Sequence, residues 1–263
     1  MLFFEIYIEG LIWIVALFTL AWIFSVRLKD AGIVDIFWGL GFVLVNFIYF
    51  QKTNEFTSRS LLLLALVGVW GLRLSIHIFI RNLGKPEDYR YQNFRKHYGP
   101  KRYWWVSFFQ VFLLQGVLVW LISSPLLAVQ YFSKENSLNV FDFAAVFTWL
   151  VGFTFEAGAD YQLRNFKANP ENKGKVLQTG FWKFTRHPNY FGDASVWWSY
   201  AIFSVAAGSY FPILSSVLMT WLIIRVSGVT MLEKSLKQKK SGYEKYALKT
   251  SAFFPWFQKT AHV

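Results

Sequence analysis

The stretch Arg186-His187-Pro188-Asn189-Tyr190-Phe191-Gly192-Asp193 gathers the densest potential chemistry in this chain. It sits where a basic, polar run passes into an apolar, Trp-rich one. His187 suits a helix N-cap and Pro188 the first helical position, where a missing N–H costs nothing. An arginine beside the positive end of a helix dipole attracts phosphate. A capped helix with a basic flank would account for that much. It does not account for Asn189, Tyr190 and Asp193 continuing into the apolar segment.

A second set lies upstream. Glu156, Asp160 and Arg164 are spaced four apart and share one helical face. Acids there can accept from ribose hydroxyls and bases can meet phosphates, with Lys167, Asn165 and Asn169 adding a cation and amides. The plain alternative is a local ion pair, since Asp160 four residues before Arg164 is the favourable order. Between Arg81 and Tyr91, Gly84 and Pro86 mark a turn. The run 87–98 predicts a short interfacial helix that either clamps a planar anionic ligand or lies on lipid. The tail from Leu232 to Trp256 predicts an amphipathic helix and an aromatic anchor. It packs on anionic lipid, or Glu233 and Tyr243 close a ligand site from below. Cysteine is absent, and His77 and His187 are isolated, so no metal site is expected. No P-loop, Gly-rich dinucleotide fingerprint or GxSxG elbow occurs.

The elements that must position these groups are membrane helices. The chain is 55% hydrophobic and 21% aromatic with only 16% charged, values of a polytopic membrane protein and not of a soluble domain. About seven apolar segments can be drawn, at 6–26, 32–50, 60–80, 107–132, 140–161, 189–207 and 210–227. The expected fold is all-α, one membrane domain over 1–263, with polar loops at 81–106 and 162–188 and a tail at 228–263. The first apolar run lacks a basic leader and a cleavage site and reads as a retained helix.

Positive charge concentrates in alternate loops, which predicts an outside N-terminus and puts both loops and the tail in the cytoplasm. The net charge of +12 is therefore topology, and nucleic acid is not an expected partner. On this orientation Asp35, Glu156, Asp160, Asp193 and Arg225 fall near the inner ends of their helices, and Arg73 and His77 in the inner half of theirs. Ionisable groups in a bilayer are costly and line wet cavities or pair. Their shared depth predicts a polar chamber open to the cytoplasm, against the simpler picture of local pairing and snorkelling.

These residues resemble a known family. Thr179-Gly180-Phe181-Trp182 followed by Arg186-His187-Pro188-Asn189-Tyr190-Phe191-Gly192-Asp193 is similar to the carboxy-terminal signature of the steroid 5-alpha-reductase superfamily. Trp70-Gly71-Leu72-Arg73, Arg81-Asn82-Leu83-Gly84-Lys85, Asp160-Tyr161-Gln162-Leu163-Arg164 and the run from Arg225 to Glu233 extend the match over about four-fifths of the chain. The whole chain resembles that superfamily's bacterial branch, which implies an inner-membrane location. The resemblance implies a seven-helix bundle that binds NADPH from the cytoplasm and takes a hydrophobic substrate from the membrane. Asp160, Arg164, Lys167, Asn189, Asp193 and Arg225 would hold the cofactor, with Asn82 and Lys85.

The chain also departs from the family. Steroid reductases polarise an enone with a Gln-Glu pair on helix two and a Tyr on helix three. Here helix two offers Asp35-Ile36-Phe37-Trp38, and the Tyr position falls near Gly71. Asp35 takes the polar catalytic role in this reading, either as a protonated donor or by orienting a partner, with Arg73 and His77 as alternatives. The Arg-His-Pro-x-Tyr pattern, Glu233, and Gly242-Tyr243 with Tyr246 and Pro255 are equally similar to integral-membrane methyltransferases that use S-adenosylmethionine. The expected activity is thus NADPH-dependent reduction of a carbon–carbon double bond, with methyl transfer as the alternative. A methyl donor without phosphate would not need Arg164, Lys167 and Arg225.

Overall fold

The computed structural model describes residues 1–54, 56–240 and 242–258, and contains helices and no strand among them. The chain divides into two compact units. The first spans Met1–Leu138 with Ala207–Pro212, and the second Asn139–Ala206 with the chain from Ile213 onward.

In the first unit, α1 (Phe3–Leu28) leads through a 3-10 turn at Ala31–Ile33 into α2 (Val34–Thr53). There Asp30 caps the turn by accepting from the Gly32 N–H at 2.8 Å. Then come α3 (Ser58–Asn82) and the short α4 (Tyr89–Tyr98). Asp88 caps α4 by accepting from the Arg90 N–H at 2.9 Å, so a short helix does form within the predicted run 87–98. Gly99, at φ +72, ends it, and Pro100 at the next first turn restarts the chain as a helix. The following helical run therefore begins seven residues before the predicted start at 107. It comprises α5 (Pro100–Ser107), a π-helical stretch Phe108–Leu113, α6 (Leu114–Ile122) and α7 (Ser124–Phe132). Helices α2 and α3 cross at backbone contact. A Cβ on Gly39 would lie 2.3 Å from the Gly71 carbonyl oxygen, a spacing only glycine allows.

The second unit comprises α8 (Val140–Ala168), α9 (Pro188–Ala206), α10 (Ile213–Trp221), a π-helical stretch Leu222–Ser227, α11 (Val229–Lys239) and α12 (Tyr243–Lys249). Asn139 caps α8 at the Phe141 N–H, 2.9 Å away. The close approach here is Gly152 against Gly192. A Cβ on Gly192 would meet the Glu156 backbone nitrogen at 2.4 Å and the Gly152 carbonyl oxygen at 2.5 Å. This seats α9 directly on α8.

Among the described residues, five helical segments are long and apolar enough to cross a membrane: Phe3–Leu28, Ala31–Thr53, Ser58–Asn82, Pro100–Phe132 and Val140–Ala168. Ile213–Val226 is apolar and shorter. Outward apolar side chains, such as Ile12, Leu20 and Phe24 on α1 and Phe143, Phe147 and Leu150 on α8, are exposed as lipid-facing residues are. The protein is a multi-pass helical membrane protein.

Candidate functional site

Two polar networks stand out, one in each unit. In the second unit, the end of α8 and the start of α9 meet where Asn189 Nδ2 donates to Asp160 Oδ1 at 3.1 Å. Glu156 and Asp160 are both buried, on the face where the four-residue spacing puts them. The segment 179–187 is laid along the same end of α8. Gly180, at φ +61, packs on the Gln162 amide, and Phe181 donates its N–H to Gln162 Oε1 at 3.0 Å. Trp182 Nε1 donates to the Ala159 carbonyl at 3.2 Å. Asp160 is thus flanked on both sides of its own turn.

The chain then returns from α11 and α12 to cover this segment. Glu233 Oε1 accepts from Arg186 Nε at 2.7 Å and from the Tyr243 hydroxyl at 2.9 Å, and lies 3.1 Å from His187 Nε2. Arg186 Nη1 donates to the Ala247 and Thr250 carbonyls at 2.6 and 2.8 Å. Tyr246, three residues after Tyr243 and so on the same face of α12, donates its hydroxyl to the Trp182 carbonyl. Backbone bonds complete the covering: the Arg186 N–H to the Ser251 carbonyl and the Trp256 N–H to the Phe184 carbonyl, each 2.9 Å. His187 is buried, and its ring stacks on Tyr190 at 5.6 Å and 15°. Burial alone would raise the Glu233 carboxyl. The hydrogen bonds from His187, Arg186 and Tyr243 outweigh it and hold the group at about 2.

Three further cations of this unit are disposed differently. Arg164 is exposed, with its guanidinium 5.6 Å from the centroid of the Tyr161 ring, and Lys167 and Arg225 are exposed as well. Asp193 is half-buried on α9, one turn beyond Asn189.

In the first unit, Asp35 at the start of α2 is held by α4. Its Oδ1 accepts from the Tyr91 hydroxyl at 2.8 Å and its Oδ2 from Arg90 Nη2 at 3.0 Å. Gln115 Nε2 donates to the Tyr91 oxygen at 3.2 Å. Asp88 takes the Arg90 Nε at 2.9 Å. Burial raises the Asp88 carboxyl, but its bonds from Arg90 prevail and leave it lowered. A parallel pair sits beside it, where Glu87 accepts from Arg95 Nη2 at 2.8 Å and from the Ala31 N–H at 2.7 Å. The Tyr91 phenol is pushed up by burial first and by the neighbouring Asp35 charge second, so it keeps its proton. Arg73 and His77 stand one turn apart on α3, half-buried. Asn82 ends α3, and Lys85 in the following turn donates to the Arg81 carbonyl.

The structure therefore brings Asp160 together with Asn189, and Arg186 with His187, Glu233 and Tyr243. Asp35, Arg73, His77, Asn82 and Lys85 belong to the first unit. Sequence reasoning did not single out Arg90 and Tyr91 as partners of Asp35, or Gln115 behind Tyr91, because they lie 55 to 80 residues from Asp35 with no spacing rule to join them. For Tyr246 there was a signal, its i, i+3 relation to Tyr243.

Apolar helices long enough to cross a membrane, with the buried carboxylates Glu156 and Asp160 among them, define a multi-pass membrane protein. Its family follows from a match over residues 21–250: the chain belongs to the DUF1295 family, described as a protein of unknown function. It is 26% identical to an uncharacterised protein of Schizosaccharomyces pombe over 277 residues, covering 95% of this chain and 79% of that one. It is also 26% identical to a Delta(14)-sterol reductase of Ascobolus immersus over 151 residues, which is 52% of this chain and 33% of the reductase.

Proposed function

We propose that this protein is an NADPH-dependent reductase of a carbon–carbon double bond in a hydrophobic, steroid-like lipid. The similarity to the Delta(14)-sterol reductase carries the reaction class. In the same proposal α9 and Ile213–Val226 complete a seven-helix bundle with its N-terminus outside.

The side chains of the second unit suit such a cofactor. Asp160, held by Asn189, offers a carboxylate to ribose hydroxyls, with Glu156 one turn before it on the same face. Arg164, Lys167 and Arg225 are exposed residues proposed to meet phosphates, the 2′-phosphate among them, and Arg186 is engaged by Glu233 and two carbonyls. Asp193 on α9 completes the proposed set in this unit. When bound, the reduced nicotinamide supplies the hydride. Of the two roles open to Asp35, the geometry favours the orienting one. With Arg90 and Tyr91 donating to its two oxygens, Asp35 anchors the phenol. Arg73 and His77 are the other polar groups proposed for this role.

Thermal unfolding of the detergent-purified chain tests this. NADPH at about a hundred times its dissociation constant contributes about 2.7 kcal/mol. We expect NADPH to stabilise more than NADH, and Arg164→Ala to remove the difference. Stabilisation by S-adenosylhomocysteine alone would overturn the reductase.

A further inference from the structure

We propose that Arg186, His187, Glu233 and Tyr243, with Tyr246, are positioning residues. They strap the C-terminal segment over 179–187 and so fix Asp160 and Asn189 for a nucleotide, without touching it themselves. The nature of that nucleotide rests on the reductase reading above.

Three observations within the second unit carry this. First, the polar atoms are turned on one another. One oxygen of Glu233 serves three groups, and Arg186 spends its Nε and Nη1 on Glu233, Ala247 and Thr250. Second, the side chains are enclosed: His187, Tyr243 and Tyr246 are each 2% exposed. A phosphate would have to displace Glu233 from its charge-assisted bonds to reach Arg186, exchanging one anion for another at no net gain.

Third, the strap leads to Asp160 by two routes. Tyr246 bonds the Trp182 carbonyl while the Trp182 indole bonds the Ala159 carbonyl, fixing the residue before Asp160. Glu233 fixes His187, the residue before the start of α9, and Asn189 in the first turn of that helix donates to Asp160 itself. Groups that a binding site requires within a fraction of an ångström are commonly held by such an outer layer of hydrogen bonds.

The test uses the full chain in detergent. Kd values for NADPH and NADH are measured on folded wild type, Tyr243→Phe, Glu233→Gln and Arg164→Ala, with amide hydrogen exchange over 179–190 recorded without nucleotide. Losing one hydrogen bond of the strap is expected to weaken both nucleotides by the same factor, about fivefold, leaving their ratio unchanged. Exchange over 179–190 should rise in Tyr243→Phe and Glu233→Gln. Arg164→Ala should collapse the ratio and leave exchange as in wild type. A Tyr243→Phe protein that loses NADPH preference, or binds less with unchanged exchange, would make Tyr243 a ligand and overturn the strap. Should Glu233→Gln fail to fold, Tyr243→Phe decides alone, since it removes one donor and keeps the carboxylate. A wild type indifferent to NADPH sinks the reductase reading. The strap is then judged by exchange, and unchanged exchange in both variants would refute it.

Discussion

The two polar networks solve one problem in opposite ways. In the first unit's network three acids are spread over two arginines: Asp35 and Asp88 share Arg90, and Glu87 holds Arg95. Most of these groups come from a single short helix and its cap, so charge is neutralised pair by pair. In the second unit one carboxylate, Glu233, gathers Arg186, His187 and Tyr243 from segments 10 to 47 residues away. Distributed pairing tolerates the loss of a member. Convergence on one oxygen does not, because removing it takes a partner from three groups at once.

That difference can be broken from its strong end. Glu233→Ala should cost about 3 kcal/mol, the low end for breaking a buried ion pair, because Glu233 retains some solvent. Denaturant or thermal unfolding in detergent would show it. A loss under about 1 kcal/mol would mean that convergence carries no special weight. Asp35→Ala should cost less, about 2 kcal/mol, since Asp88 still holds the Arg90 guanidinium and Gln115 still reaches the Tyr91 oxygen. If it cost more than Glu233→Ala, the contrast would be reversed.

Acid should recover part of the Glu233 effect without mutation. The Glu233 carboxyl lies below its ordinary value, at about 2, so the folded form binds its proton less readily than the unfolded chain. Its stabilisation is present above the unfolded value of about 4.3 and is lost as pH falls toward 2. Wild type should therefore lose more stability than Glu233→Gln between pH 5 and pH 3. Parallel curves would show that the hub does not titrate as a unit. The smallest effect is expected from Tyr91→Phe, about 1 kcal/mol for one hydrogen bond to a carboxylate that Arg90 still pairs.

Much of the fold was legible in composition and spacing. Long apolar runs with few charges have no alternative to helix in a bilayer, since each backbone polar group must bond within its own segment. The start of α9 at Pro188, the helix after Asp88 and the shared face of Glu156 and Asp160 were local matters, readable from caps and from the four-residue repeat. The segment from Pro100 was not anticipated, because its polar and aromatic residues resemble a loop until Gly99 and Pro100 are recognised as a stop and a restart.

What the sequence by itself determined is a helical membrane protein with ionisable groups at helix ends and a signature around Arg186 to Asp193. Those features depend on residue type and near neighbours. Only the tertiary structure decided which charges meet. It turned Arg186 toward Glu233, 47 residues on, and Asp35 toward Arg90 and Tyr91, while leaving Arg164 and Arg225 exposed. An arginine is the same cation in every sequence. Whether it is consumed by a carboxylate or faces outward depends on which distant segment packs beside it, and no spacing rule reaches that far.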